Sequence, residues 1–406
     1  MSHGEMTPTR SGAAHALACW AAALDPGAEE LALADRSLVD TVAVGLAAHR
    51  EPVIGITADL PEEARWAFAC HILDFDDLHM PSTSHISTVC VPVALALGGG
   101  ARTYLAGAGV MARLGIALGW PHYSAGWHAT TTCGALGAAA GAAVALGLDA
   151  GGIARAMALA VPAAGGVQRS FGTDGKPLQV GFATHAGVRA ARLAAAGASA
   201  DPRAVDDWLA LLGGSPDRLT IDGPTVPGGL AVKLHPCCYA LQRPIGAAAT
   251  LRPAVPDPAA IRRIVVRTPR ATVQPLIHHR PDTGLQAKFS LEYAVSAALL
   301  DEHVGFAAFT DDAVHRPPVR RLVDLVETEL TDGGDHLLAG EVAVEAHTDT
   351  EVHRAALAYP PGSPQHPPLD GAFAGKVADC LAGLPVTAAD IAWDRAADLL
   401  RAHLGV

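Results

Sequence analysis

The 406-residue chain is 50% hydrophobic and 17% charged, which excludes a disordered chain or a coiled coil and fits one large or two ordinary domains with a large buried interior. A formal net charge of −12, without any basic run, excludes a whole-surface nucleic-acid binder; an anionic ligand needs a local cationic pocket working against the global field.

The N-terminus does not read as a signal peptide, because Arg10 is its only strong base and the apolar stretch 13–24 runs straight into Asp25-Pro26. Cys19, Cys70, Cys90, Cys133, Cys237, Cys238 and Cys380 are scattered, without a C-x-x-C. They read as reduced thiols of a cytoplasmic protein and as poor iron–sulfur ligands. From residue 13 to about 250 the composition is rich in Ala, Leu and Gly. Segments 104–118, 134–148, 150–163 and 185–197 have helix-forming composition and length. So many small residues predict helices packed at short axial distance. The uncharged stretch 129–148 is expected to be an interior helix rather than a membrane span, since Ala and Gly gain little on transfer to lipid.

Three prolines within 252–259 mark a boundary. Beyond it, 261–268, 341–348 and 352–358 read as strands, and 290–300 and 318–330 as helices. The last segment returns to helix, with Thr387 as N-cap and Ala392, Ala396, Leu399 and Leu400 on one face. The expected fold is mostly α: a large all-helical domain, 1–253 plus 369–406, with a smaller α+β domain inserted at 254–368.

Lysine usage points to chemistry. Only Lys176, Lys233, Lys288 and Lys376 are lysines among 29 basic residues. Where arginine is accepted almost everywhere, a retained lysine marks a need for a compact ammonium or an adjustable pKa. Lys176 sits in a Gly-interrupted loop entering a helix, RSFGTDGKPLQVG, where backbone donors and an ammonium can meet an anion. Lys233, in GGLAVKLHPCCY, is a second candidate.

The segment HILDFDDLHMPSTSH (71–85) concentrates histidines, carboxylates and hydroxyls. If 64–75 is helical, Asp74 and Asp77 share a face at i, i+3. A metal site and a metal-free acid/base site are both compatible with it, but the spacing fits no familiar metal motif. Asp76 and Asp77 also read as helix caps. His128, in GWHATTTCGALGAAAG, precedes three threonines and a helix whose N-terminal amides suit a carboxylate. Tyr293, in KFSLEYAVSAAL, falls early in a helix of the inserted domain.

Taken in order, HILDFDDLHMPSTSH, GWHATTTCGALGAAAGAAVALGLD, GTDGKPLQVGFATHAG, VKLHPCCYALQRPI, KFSLEYAVSAAL and GSPQHPPLDGAFAGK resemble the MmgE/PrpD family, across residues 71–376. The resemblance implies a helical domain plus an α+β lid domain, usually as a homodimer, with the site between them and no metal or organic cofactor. By position it places catalytic roles on Asp74, His85, His128, Lys176 and Tyr293, and a site position on Cys238. Asp77, His79, Lys233 and Gln242 join Cys238 as expected substrate contacts. The chain departs from the family at Leu78, at His85-Ile86-Ser87, and at Gln179 and Gln242, where relatives often carry histidine. The implied function is a cofactor-independent lyase that removes a proton α to a carboxylate of a small polycarboxylic acid. Dehydration of a 2-methylcitrate-like substrate leads; decarboxylation of a cis-aconitate-like acid and epimerisation are the alternatives. A catalytically inactive scaffold or small-acid binder stands further off, because His85, His128 and Lys176 are retained together.

Overall fold

In the computed structural model, which describes residues 12–334, 336, 338–368 and 370–405, two hydrophobic cores lie side by side. The first is built by α1 (Ala13–Ala23), α2 (Ala28–Ala47), α3 (Glu62–Ile72), α4 (Ser87–Ala96), α5 (Ala101–Ser124), α6 (Ala129–Ala145), α7 (Ala150–Ala160), α8 (Gly175–Ala195) and α9 (Ala204–Leu211). At its centre is α6, buried without interruption from Ala129 to Val144. A helix hidden on all sides needs no polar face, and this explains its uncharged sequence.

Glycine sets how closely the neighbours approach α6. A Cβ on Gly187 of α8 would stand 2.4 Å from the Ala138 Cβ, and one on Gly107 of α5 would stand 2.9 Å from the Gly137 carbonyl oxygen. Backbones can pack at that distance only without side chains between them. No helix among the described residues is long and apolar enough to cross a membrane.

The second core is drawn from Leu78 and from residues between Ala231 and Ala346. It lies between α10 (Gln242–Leu251), the helices Leu291–Leu300 and Pro317–Val323, and one face of a four-stranded sheet. The strands are β1 (Arg263–Pro269), β2 (Val326–Thr331), β3 (Val342–His347) and β4 (Val352–Leu357), in the order β2-β1-β3-β4. β1 pairs parallel to β2, with Ile264 opposite Val326, and antiparallel to β3, with Ile264 opposite Ala346. β3 and β4 form an antiparallel hairpin. On the outer face Arg267 bridges Glu329 at 2.7 Å and Glu345 at 3.3 Å, a solvated ladder that contributes little stability. The helices Asp370–Leu381 and Ala396–Leu404 return to the first core.

Two sequence expectations are corrected. The expected helix 318–330 ends at Val323, and its second half is the edge strand β2, whose VETELT is mostly exposed and so lacks a buried alternation to announce it. Thr387 caps a single 3₁₀ turn, Ala388–Asp390, closed by Asp390 reaching back; the terminal helix begins only at Ala396.

Candidate active site

The site is organised by the turn that follows α3. Leu73 ends the helix, and Asp74 takes a left-handed conformation, φ +55°, which costs energy for any residue with a Cβ. Asp74 and Asp77 therefore do not share a helical face. The turn is held by every lysine in the chain. Lys288 donates to the Leu73 carbonyl at 3.0 Å, Lys233 to the Asp74 carbonyl at 2.9 Å and Lys376 to the Phe75 carbonyl at 2.7 Å, while Lys176 donates to the Asp74 carboxylate. Three successive carbonyls can each take one narrow ammonium; planar guanidinium groups are too wide to converge there.

Lys376 also pairs with Asp40 of α2 at 2.6 Å and lies 4.3 Å from the Phe75 ring centroid, with both charged groups buried. Removing one partner of a buried pair leaves the other uncompensated. Lys376→Met is expected to cost about 3–5 kcal/mol, with partial recovery in Lys376→Met/Asp40→Asn, read from urea unfolding. A loss of less than about 1 kcal/mol in the single variant would show that the pair holds nothing in place.

Three histidines gather around this turn. His71, in the last turn of α3, approaches Asp76 Oδ2 through Nδ1 at 2.6 Å. His85 Nδ1 lies 2.6 Å from the Asp77 carbonyl and 3.2 Å from the same Asp76 oxygen. His128, the N-cap of α6, places Nδ1 3.4 Å from Gln179 Oε1, which also accepts from the Val167 amide at 2.9 Å. Carbonyls and a carboxylate only accept, so each Nδ1 carries the proton, and each Nε2 is the basic nitrogen of the neutral ring.

Electrostatics agree with neutral rings. Burial lowers His85 to about 4 despite Asp76 beside it. It holds His128 well below its usual value, helped by His71 and Lys176, and lowers His71 although Asp76 pulls the other way. For Asp76 burial alone would raise the carboxyl, but His71 and His85 hold it well below the carboxylate range. Asp74 is likewise held low against its burial, by Lys176 and Lys233. Burial works against the Lys176 ammonium, yet Asp74 and Asp76 raise it overall, so it stays charged. Burial raises Cys238 and keeps it a thiol.

Two cavities meet at the Asp74–Lys176 pair. An outer cleft of about 580 Å³ is lined by His71, Asp74, Asp174, Lys176 and Lys288, among others. A narrow inner chamber of about 60 Å³ is lined by Asp74, His85, His128, Lys176, Lys233 and Cys238, with Thr130 and Tyr123. Asp74, Lys176 and Phe289 line both. The histidines, Asp74 and Lys176 come from the helical body; Lys233, Cys238, Lys288 and Phe289 come from the stretch that borders the second core. In the inner chamber Lys176 and Lys233 face the single Asp74 carboxylate, a local positive excess for an anionic ligand in a chain of net charge −12, whereas the outer cleft sets Lys176 and Lys288 against Glu51, Asp74 and Asp174.

The structure thus brings together Asp74, His85, His128, Lys176, Lys233 and Cys238. It engages the other expected residues elsewhere. Asp77 accepts from the Ser87 amide at 3.2 Å and from its hydroxyl, capping α4, and burial pushes its carboxyl up to about 7. His79 is closed off between Ser82 Oγ and the Pro227 carbonyl, each at 2.6 Å. Gln242 braces the chain by accepting from the Leu234 and His235 amides. Tyr293 is fully buried in the second core, against Phe309, with its hydroxyl donating to the Ala308 carbonyl. None of these four lines either cavity, although a catalytic role was expected for Tyr293 and substrate contacts for Asp77, His79 and Gln242.

Sequence reading assigned no catalytic or substrate-binding role to His71, Asp76, Gln179 or Lys288. Asp76 was expected to cap a helix, as Asp77 does; instead it lies between two imidazoles. Ligand atoms of His71, Asp76 and His85 fall within 4.8 Å of one another, close enough for one divalent cation; protonated at Nδ1, the same groups are joined by hydrogen bonds.

Residues 60–208 match the MmgE/PrpD N-terminal domain, and residues 235–398 match the MmgE/PrpD C-terminal domain. The chain belongs to the MmgE/PrpD family. Within it, the chain is 29% identical to cis-aconitate decarboxylase of Mus musculus over 289 residues, and 29% identical to that of Homo sapiens over 291. Each alignment covers 64% of this chain and 59% of the relative, so the chain spans well under two thirds of the curated relatives it matches. In this MmgE/PrpD member both family domains line the two adjoining cavities: the N-terminal match supplies Asp74 and Lys176 to both, and the C-terminal match supplies Cys238 to the inner chamber and Lys288 to the outer cleft.

Proposed function

We propose that this chain is a lyase that acts on a small polycarboxylic acid by removing a proton α to a carboxylate, using its own acid and base groups. The observation that carries the reading is the inner chamber, where the Lys176 ammonium faces two neutral imidazoles, His85 and His128. The rest of the substrate is assigned to the outer cleft, where Lys288 is the further cation, since 60 Å³ takes only one end of such a molecule. The family's helical-body-plus-lid division, a homodimer and a cytoplasmic location belong to the same proposal.

Lys176 stabilises the negative charge that develops on the carboxylate as the neighbouring carbon loses its proton. His85 is the better base, because its Nδ1–H is fixed by the Asp77 carbonyl and the imidazolium it becomes is met by Asp76. His128 has only the neutral Gln179 oxygen behind it. Its cation, formed when an anionic substrate enters, is poorly supported and gives up its proton readily to a leaving hydroxyl. Two opposed proton-transfer groups favour dehydration. Decarboxylation is the second reading, favoured by the likeness to cis-aconitate decarboxylases: there CO₂ leaves, Lys176 stabilises the carbanion and one imidazolium protonates it.

Proton NMR of 2-methylcitrate, citrate and cis-aconitate incubated with enzyme in D₂O containing EDTA tests the reading. A new alkene from a hydroxy acid is the expected result. Release of CO₂ with one deuterium at the former α-carbon would select decarboxylation, and exchange without net conversion would select epimerisation. Turnover that appears only when a divalent ion replaces EDTA would transfer the His71–Asp76–His85 group from acid/base chemistry to metal binding.

A further inference from the structure

Asp76 makes an arrangement that the proposed reaction leaves half used. A single oxygen, Oδ2, faces two imidazole nitrogens, His71 Nδ1 at 2.6 Å and His85 Nδ1 at 3.2 Å. The two rings meet edge to face with centroids 4.9 Å apart. The Asp76 and His71 side chains are fully buried, and Oδ1 of Asp76 and Nε2 of His71 have no hydrogen-bond partner. His85 has a second acceptor in the Asp77 carbonyl, whereas His71 depends on Asp76 alone. His71 is sealed behind the wall of the outer cleft, whereas the partly exposed His85 lines the inner chamber.

We propose that Asp76 is a positioning residue shared between two imidazoles, and that His71, acting through it, sets how strongly His85 draws a proton from the substrate. One carboxylate oxygen can fully support one imidazolium. While His71 donates to it, less of its charge is available to His85, so protonation of one ring opposes protonation of the other and the pair titrates as a coupled unit. The remaining ionisable groups that face this trio are Asp74 and Lys176 on the outer side, Lys233 and His128 toward the chamber, and Asp40, Asp77 and the Cys70 thiol beside Asp76. All of them stay in place in the variants below.

The decisive measurement needs no substrate. Histidine ring resonances of the full chain, labelled selectively and titrated from pH 8 downward, report the tautomer and ionisation of His71 and His85 separately. In His71→Leu, Asp76 is released to His85, and the His85 midpoint is expected to rise by about one pH unit, tenfold in its ionisation constant. In His71→Asn, whose amide can still donate to Asp76, the His85 midpoint should stay near that of the wild type. In Asp76→Asn both rings should become harder to protonate. Unchanged His85 behaviour in His71→Leu, or a response of only one ring to Asp76→Asn, would overturn the sharing. The kinetic arm alone rests on the lyase reading: the acid limb of the kcat/KM profile should move in His71→Leu in step with the His85 midpoint. Coupled titration without turnover of any polycarboxylate would leave the sharing in place and sink the proposed reaction instead.

Discussion

Lys176→Arg is expected to lose about 100-fold or more in kcat, nearly as much as Lys176→Ala, although it keeps the positive charge. Lys176 is the second residue of α8, is 8% exposed, and points its ammonium at Asp74 where the two cavities adjoin. Phe171 closes one side, with its ring centroid 5.5 Å from Nζ. A guanidinium is wider and flat, so it would push either Asp74 or the substrate carboxylate away from this point. A displacement of about 1 Å at a reacting centre costs on the order of 100-fold in rate. Because the lysine is assigned to charge that builds up during proton removal, kcat and kcat/KM should fall together. A rise in KM with kcat intact would make Lys176 a ground-state anchor only. A Lys176→Arg enzyme within about threefold of wild type in kcat/KM would remove it from the chemistry altogether.

Much of this site is written in the lysine usage. Four lysines survive in an arginine-rich chain, and all four converge on Leu73–Phe75. Composition alone marks them as special, but it assigns no shared target, because the convergence is a property of tertiary structure. His85, His128 and Cys238 were legible through the order of motifs. Asp76 and Asp77 were not separable: they are neighbours of the same type, and only the path of the chain after the left-handed Asp74 turns one toward two histidines and the other toward the start of α4. Tyr293 shows the reverse case. Its motif matches the family, yet here its hydroxyl is taken up by a backbone carbonyl inside the second core. Helix composition located α5 to α8 well, since interior helices need only small apolar residues. It missed β2, where an exposed edge strand has no buried face to imprint on the sequence.

Acidification is expected to destabilise the protein steeply between about pH 6.5 and 4, well before its ordinary carboxylates titrate. Burial lowers His79, His85, His122 and His235 to about 4, and it lowers His71 and His128 as well. In the unfolded chain each would titrate near the usual histidine value of about 6.5. Between those limits the unfolded state therefore binds protons that the native state refuses, and stability rises with pH across this window. Two carboxyls act with the opposite sign. Burial raises Asp77 to about 7, so over the same range it holds a proton in the native state that the unfolded state releases; burial also raises Asp40, even with Lys376 alongside, and its contribution has the same sign. With His336, which burial also lowers, seven lowered histidines outweigh two raised carboxyls. Even counting only the four near 4, unfolding at pH 5 should take up about two protons, a slope of about 3 kcal/mol per pH unit. Below about pH 4 the low-lying Asp74 and Asp76 add to the loss, because their contribution is present above the unfolded carboxylate value and disappears as they protonate. Urea midpoints measured in half-unit steps from pH 7 to 4 at constant ionic strength check the sign and the slope. A midpoint that is flat or rises on acidification would mean that these imidazoles are hydrated in the native protein, and that neither His85 nor His128 is held neutral for proton removal.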